Sequence, residues 1–206
     1  MQELKQKQQE VDKALAAIKE RREKRQDQAG PVQERGRNHI YAGDGKGKTT
    51  AATGLAVRAA SRGWRVLFIQ FLKSGTSAEL DVLRSLPNVD VISGQKINKF
   101  TFAMTPEELA ETRQVMGDRL QLAIDEAKDY DLIVLDEALG AISAQVISED
   151  LVADFMANKP QNLELVVTGR NPSERLVDLA DYYSEVCMRK HPYETEGLNA
   201  RAGVEF

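Results

Sequence analysis

The chain has 206 residues, 42% of them hydrophobic, with a formal net charge of −4 and a single cysteine, Cys187. That length fits one domain with an appendage, and the apolar share suffices for a core. One thiol excludes an internal disulfide and a dithiol for passing electrons, and no stretch nears the roughly 20 apolar residues of a membrane span.

Met1–Arg25 lacks the apolar run of a secretion signal, so a cytoplasmic protein is expected. Charge is unevenly placed: residues 1–37 carry ten Lys/Arg against seven Asp/Glu, and the remainder eighteen against twenty-five. An acidic body argues against nucleic acid as a partner. The basic segment is a charged N-terminal helical extension, separate from a domain spanning 38–206. Its apolar positions Leu4, Val11, Leu15 and Ile18 form a thin helical stripe ended by Gly30–Pro31. It reads either as a solvated tail or as a lid that orders over an anionic ligand.

From Asn38 the pattern changes. His39–Ala42 predicts a short strand running into a glycine-rich loop, and Lys48–Ser61 a helix of small residues closed by Gly63. Arg65–Phe71 is apolar throughout, as a buried parallel strand is. Ser77–Leu86 predicts a helix, Val89–Ile92 a strand and Gln95–Met104 a loop with two aromatics. Thr105-Pro106-Glu107-Glu108 starts a helix that is expected to reach about Lys128. Asp131–Asp136 predicts a strand, Ser148–Ala157 a helix, Leu163–Thr168 a strand, Pro172–Ala180 a helix and Tyr183–Met188 a last strand. Strands alternating with helices imply an α/β fold, a mostly parallel sheet with helices on both faces. Ligands of such sheets bind at the carboxyl ends of the strands.

Gly43-Asp44-Gly45-Lys46-Gly47-Lys48-Thr49-Thr50 sits between a predicted strand and a predicted helix. Its glycines permit tight turns that aim N–H groups at an anion, and the helix start adds partial positive charge. Lys48 supplies an ammonium for phosphates and Thr49 a hydroxyl for Mg²⁺. The usual G-x-x-x-x-G-K-[ST] spacing would put its first glycine where Ala42 stands, so this loop is one residue tighter. Leu132–Leu135 ends in Asp136 and Glu137, the acidic element that such sites use for Mg²⁺, and spacing leaves open which of the two faces the metal. Thr168-Gly169-Arg170 closes another apolar strand and brings a guanidinium to the same edge. Arg58, three turns into the loop helix, reads equally well as a partner to an internal acid. Phe100 and Phe102 fall on one face if extended, as core residues or as a wall for a flat ligand. These motifs place the fold in the P-loop NTPase-like (RecA-like) class with ATP as ligand.

Taken together, the residues resemble the P-loop ATP:corrinoid adenosyltransferases. The resemblance rests on Gly43–Ala52, Gln70-Phe71-Leu72-Lys73, Phe100-Thr101-Phe102, Val134–Glu137, Thr168-Gly169-Arg170, Lys190-His191-Pro192 and the ending Gly203-Val204-Glu205-Phe206. It implies transfer of the 5′-deoxyadenosyl group of ATP to the Co(I) of a corrinoid, with release of triphosphate. It further implies that Asp44 meets the nucleoside, that Lys48 and Thr50 meet the phosphates, and that Arg58 and Arg170 hold the polyphosphate. Thr49 and Glu137 would serve Mg²⁺, and Phe100 and Phe102 would contact the corrinoid and displace its lower ligand. An external donor such as a reduced flavoprotein or ferredoxin is implied for the cobalt, and a homodimer is one assembly the family uses. Another P-loop ATPase or phosphotransferase, or a nucleotide-gated corrinoid carrier, are the competing readings. Deleting residues 1–28 is expected to weaken corrinoid binding more than ATP binding, measured by separate titrations; equal losses, or none, would contradict the lid.

Overall fold

The computed structural model describes residues 35–73, 77–93 and 99–204, together with Ala16 and Glu20, which are helical. The expected N-terminal stripe and lid lie outside the described residues, as do Glu205 and Phe206 of the quoted ending. Six strands form one sheet: β1 (Asn38–Ala42), β2 (Val66–Gln70), β3 (Val89–Ile92), β4 (Leu132–Asp136), β5 (Glu164–Thr168) and β6 (Tyr182–Glu185). Their order is β3-β2-β4-β5-β1-β6, and every pair is parallel. Parallel strands need crossovers, which the helices α1 (Lys48–Ala60), α2 (Glu79–Ser85), α3 (Pro106–Asp125), α4 (Ala138–Ser143), α5 (Glu149–Asn158) and α6 (Glu174–Asp178) supply; α7 (Pro192–Glu196) follows β6.

The two-residue period of a strand divides the core in two. Leu67 and Ile69 of β2, with Ile133 and Leu135 of β4, join the cluster under α3, α4 and α5. Val66 and Phe68, with Leu132 and Val134, join the cluster under α1 and α2. Each such buried side chain contributes roughly 1.5–3 kcal/mol. On α1 the inward residues are all alanines, Ala52, Ala56, Ala59 and Ala60, so that helix lies close on the sheet and its start is held firmly at the end of β1.

Several boundaries differ from expectation for local reasons. The long helix stops at Asp125, and Ala127–Asp129 continues as a 3₁₀ turn. Its start is as expected: Thr105 and Glu108 form a reciprocal capping box behind Pro106. The helix expected over 172–180 shrinks to α6 because Ser173 takes the cap position, its hydroxyl accepting from the Leu176 N–H. Two short helices were not legible. Ala138–Ser143 has its apolar side chains largely buried and shows no polar face, and Pro192–Glu196 is one turn ended by Gly197 at φ 63°. Just before β1, Gly36 donates its N–H to the Gln161 carbonyl at 2.8 Å. Among the described residues no helix is long and apolar enough to cross a membrane.

The exposed edge strand β6 is fastened to β1 by Asp181. Its carboxylate accepts from the Asn38 N–H at 2.9 Å and from Arg37 at 2.8 Å, while the Asp181 N–H donates to the Asn38 carbonyl. The Asn38 N–H, with help from Arg37, holds the Asp181 carboxyl below its ordinary value of 3.8. Stabilisation from a lowered carboxyl is present above that value and is lost as pH falls through the folded-state pKa. Asp181→Asn should therefore cost about 0.5–1 kcal/mol at pH 7 in a urea melt, and the gap from the parent should close as the melts are moved below pH 3.

Candidate nucleotide site

The loop between β1 and α1 takes the backbone shape that its glycines allow. Gly43 and Gly47 have φ of 117° and 120°, a region that strains any side chain. A Cβ on Gly43 would also lie 2.4 Å from the Val186 carbonyl oxygen, so the segment after β6 packs directly on the loop. Gly45 donates its N–H to that carbonyl at 2.7 Å, and Asp44 accepts from the Met188 N–H at 2.9 Å. The Met188 bond, opposed by slight desolvation, holds the Asp44 carboxyl below its ordinary value. No side chain caps the first turn of α1, which leaves its N–H groups turned toward an incoming anion.

A cavity of about 580 Å³ opens over the loop. Its lining includes Asp44 through Thr50, Lys73, Glu137, Arg170 and His191. Lys48 folds back onto the Gly45 carbonyl at 2.7 Å, and burial lowers its pKa, with Arg170 adding to the effect. Three of the expected elements thus converge here: the loop with Thr49, Arg170 and Glu137. Arg58 does not line this cavity. It sits exposed in the last turn of α1, ten residues or roughly 15 Å beyond Lys48, with its charge felt by Tyr41. Phe100 and Phe102 are also elsewhere, 76% and 86% exposed. Their rings stack on each other, with centroids 5.4 Å apart and planes 6° from parallel.

Beneath the cavity lies Asp136, wholly buried. Its Oδ1 accepts from Thr49 at 2.9 Å and from Thr168 at 2.8 Å, and its Oδ2 from Lys73 at 2.8 Å and Gln70 at 3.2 Å. Thr168 Oγ1 in turn accepts from the Glu137 N–H. Behind Gln70 the buried Arg119 donates to the Gln70 carbonyl at 3.2 Å, and desolvation pushes its pKa down to about 10. Which acid faces the cavity, left open by spacing, is answered by the turn after β4. Glu137 takes a left-handed conformation (φ 62°) that swings its side chain into the cavity, while Asp136 stays below. Burial raises the Glu137 pKa, against the opposing charges of Lys73, Lys48 and Arg170.

Lys73, Gln70 and the Thr168 hydroxyl carry roles that residue-by-residue reading of the sequence missed. The available signal was position: all stand at or just past the carboxyl ends of β2 and β5, where such sheets place their ligands. As a donor set for Mg²⁺, the Thr49 hydroxyl with the Asp136 and Glu137 carboxylates fits, being hard oxygens on the floor of a phosphate cavity. Mg²⁺ at nucleotide sites takes one or two carboxylates plus phosphate oxygens and needs no all-protein cage. No group of three or more His, Cys, Asp or Glu placed to hold a metal occurs among the described residues.

A parallel sheet with a phosphate loop after its first strand, and a Thr–Asp pair beneath it, defines a P-loop nucleotide-binding protein. Residues 34–206 match the profile of the family described as ATP:corrinoid adenosyltransferase BtuR/CobO/CobP, and the chain belongs to that family of enzymes. The corrinoid adenosyltransferase of Pseudomonas aeruginosa is 30% identical over 177 residues, covering 84% of this chain and 85% of its own. That of Escherichia coli (strain K12) is 30% identical over 176 residues, covering 84% and 87%. An uncharacterised protein of Nostoc sp. is 32% identical over 192 residues, and the chain spans 48% of that relative's length.

Two glycines separate site geometry from stability. A Cβ on Gly140 would lie 2.7 Å from Glu137 Oε1, the end of a side chain that is able to move aside. Gly140→Ala should shift the melting temperature by under 2 °C yet weaken Mg²⁺-dependent ATP binding at least fivefold. Gly43→Ala meets backbone at a positive φ and should destabilise the fold itself, by about 1–3 kcal/mol. Thermal melts and ATP titrations on both variants check this.

Proposed function

We propose that this chain transfers the 5′-deoxyadenosyl group of ATP to a corrinoid. The Co(I) centre of the corrinoid attacks C5′, a cobalt–carbon bond forms, the C5′–oxygen bond breaks, and inorganic triphosphate leaves with the electron pair. The observation that carries the reading is the cavity, in which Lys48, Lys73 and Arg170 surround the phosphate loop. The charge to be stabilised is that of a polyphosphate leaving group, and preorganised cations and N–H groups are the means. Asp44 stands at the nucleoside side, Lys48 and Thr50 at the phosphates, and Arg170 across the cavity. Thr49 and Glu137 would hold Mg²⁺ together with Asp136, which also fixes Thr49; the ion supplies further neutralisation of the triphosphate. Phe100 and Phe102 offer an exposed, parallel aromatic surface for the corrinoid. Arg58 lies outside the cavity and takes no part in this reading.

The wider assignment rests on the sequence and on the family resemblance. Residues 1–37 are an N-terminal extension to the 38–206 domain, and the protein is cytoplasmic, with a homodimer as its assembly and without nucleic-acid or membrane partners. Electrons for cobalt come from an external flavoprotein or ferredoxin, because the single Cys187 provides no dithiol. One observation favours a second reading. Glu137 is a carboxylate lining the cavity, the kind of group a hydrolase uses to activate water.

The two readings differ in product. Under anaerobic conditions with MgATP and chemically reduced cob(I)alamin, the expected yield is a light-sensitive adenosylated corrinoid and one equivalent of triphosphate. Orthophosphate or diphosphate, released without regard to corrinoid, would replace the transferase with the hydrolase. Lys48→Ala should lower kcat/KM for ATP by about 10²–10³.

A further inference from the structure

We propose that Lys73 is a resident stand-in for the divalent cation, holding the Thr49–Asp136 pair until a metal–nucleotide complex displaces it. Its Nζ lies 2.7 Å from Thr49 Oγ1 and 2.8 Å from Asp136 Oδ2. Those two oxygens, one from the first turn of α1 and one from the end of β4, are the ones the fit above offers to Mg²⁺. An ammonium and a divalent cation on the same pair of oxygens exclude each other.

Charge bookkeeping around Asp136 leads to the same point. A fully buried carboxylate needs a counter-charge as well as hydrogen bonds. Thr49, Thr168 and Gln70 are neutral donors, and the salt bridge found to Asp136 among the described residues is with Lys73. Lys73 therefore supplies the positive charge that a metal would otherwise bring. The chain is shaped to deliver it. Phe71 is buried, its N–H donating to the Asp136 carbonyl at 2.9 Å, and Leu72 then takes φ 51°, a left-handed turn that a leucine seldom adopts. That turn aims Lys73 back over Asp136.

Lys73 is also free to leave. Its side chain is 29% exposed and borders the same cavity as Lys48 and Arg170, so a released ammonium remains among the phosphate-binding groups. Exchange then runs in one direction: metal onto Thr49 and Asp136, ammonium onto the polyphosphate. Metal alone gains less from the exchange, because without nucleotide the displaced ammonium meets only the carboxylates of the cavity, such as Glu137, and no polyphosphate. The site thus admits metal together with nucleotide and disfavours it alone. This rests on the phosphate loop being a nucleotide site, and not on what the nucleotide is used for.

The probe is Mn²⁺, titrated by electron paramagnetic resonance into the full chain without nucleotide. Lys73→Met is expected to bind Mn²⁺ at least tenfold more tightly than the parent, and Lys73→Arg, which keeps the charge, no more tightly than the parent. Adding Asp136→Asn to Lys73→Met should abolish the gain. Affinity for the Mn²⁺–ATP complex should change the other way, weakening about threefold or more in Lys73→Met, since one polyphosphate cation is gone. Unchanged or weaker Mn²⁺ binding in Lys73→Met, or equal tightening in Lys73→Arg, would overturn the proposal. Should Lys73→Met fold poorly, Lys73→Gln retains a hydrogen-bond donor, and Mn²⁺ must then raise its melting temperature more than the parent's. Expected Mn²⁺ results without adenosyl transfer would strike the reaction proposed above and leave this site standing. Normal transfer with Mn²⁺ binding indifferent to Lys73 would strike this site alone.

Discussion

A single buried carboxylate ties the working end of this molecule together. Asp136 terminates β4, and its two oxygens take hydrogen bonds from the start of α1, the end of β5, the end of β2 and the residue that turns away from β2. Three segments far apart in sequence are thereby fixed to one point. The cost of burying that charge is met only if all the donors arrive together, so the network is cooperative. Its geometry explains why the phosphate loop, which has no core of its own, has a definite position relative to Glu137 and Arg170. The loop is anchored at Thr49 from below.

Small residues set how closely the surrounding elements approach. The alanine face of α1 lets that helix lie on the sheet, and Gly169, with φ 145°, lets the turn carrying Arg170 pass 2.6 Å, measured from a notional Cβ, from the Leu139 side chain. Gly140 leaves the room into which Glu137 folds. The cations and acids of the cavity are thus placed by residues that bear no charge and touch no ligand.

Much of this was legible in the sequence, and the part that was not has a common cause. Continuous apolar runs such as Val66–Ile69 and Leu132–Leu135 mark strands buried on both faces, and the structure places them side by side. The phosphate loop was legible because its chemistry is local, eight residues in a row between a strand and a helix. Lys73 and Thr168 were quoted only within larger matches, since their roles exist only once β2, β4 and β5 are neighbours. Spacing could not choose between Asp136 and Glu137, because alternation along a strand says nothing about a residue that leaves the strand through a left-handed turn. The short helix α4 was missed for the opposite reason: its apolar residues are largely buried, so it shows no periodic contrast. The aromatic pair was expected on one face of an extended segment; Thr101–Ala103 instead forms a 3₁₀ turn, and the two exposed rings stack on each other outside the lining of the nucleotide cavity.

The order in which the site is assembled follows from what holds the loop from outside. Gly45 is bonded to Val186, Asp44 to Met188 and Lys46 to Val204, all on the strand that leaves β6 or beyond it. The loop emerges from the ribosome early, yet its braces are made some 140 residues later. A nascent chain can close α1 onto the sheet and still lack a finished phosphate cradle. The loop's observed shape therefore depends on contacts with residues 186, 188 and 204, which are synthesised long after the loop itself.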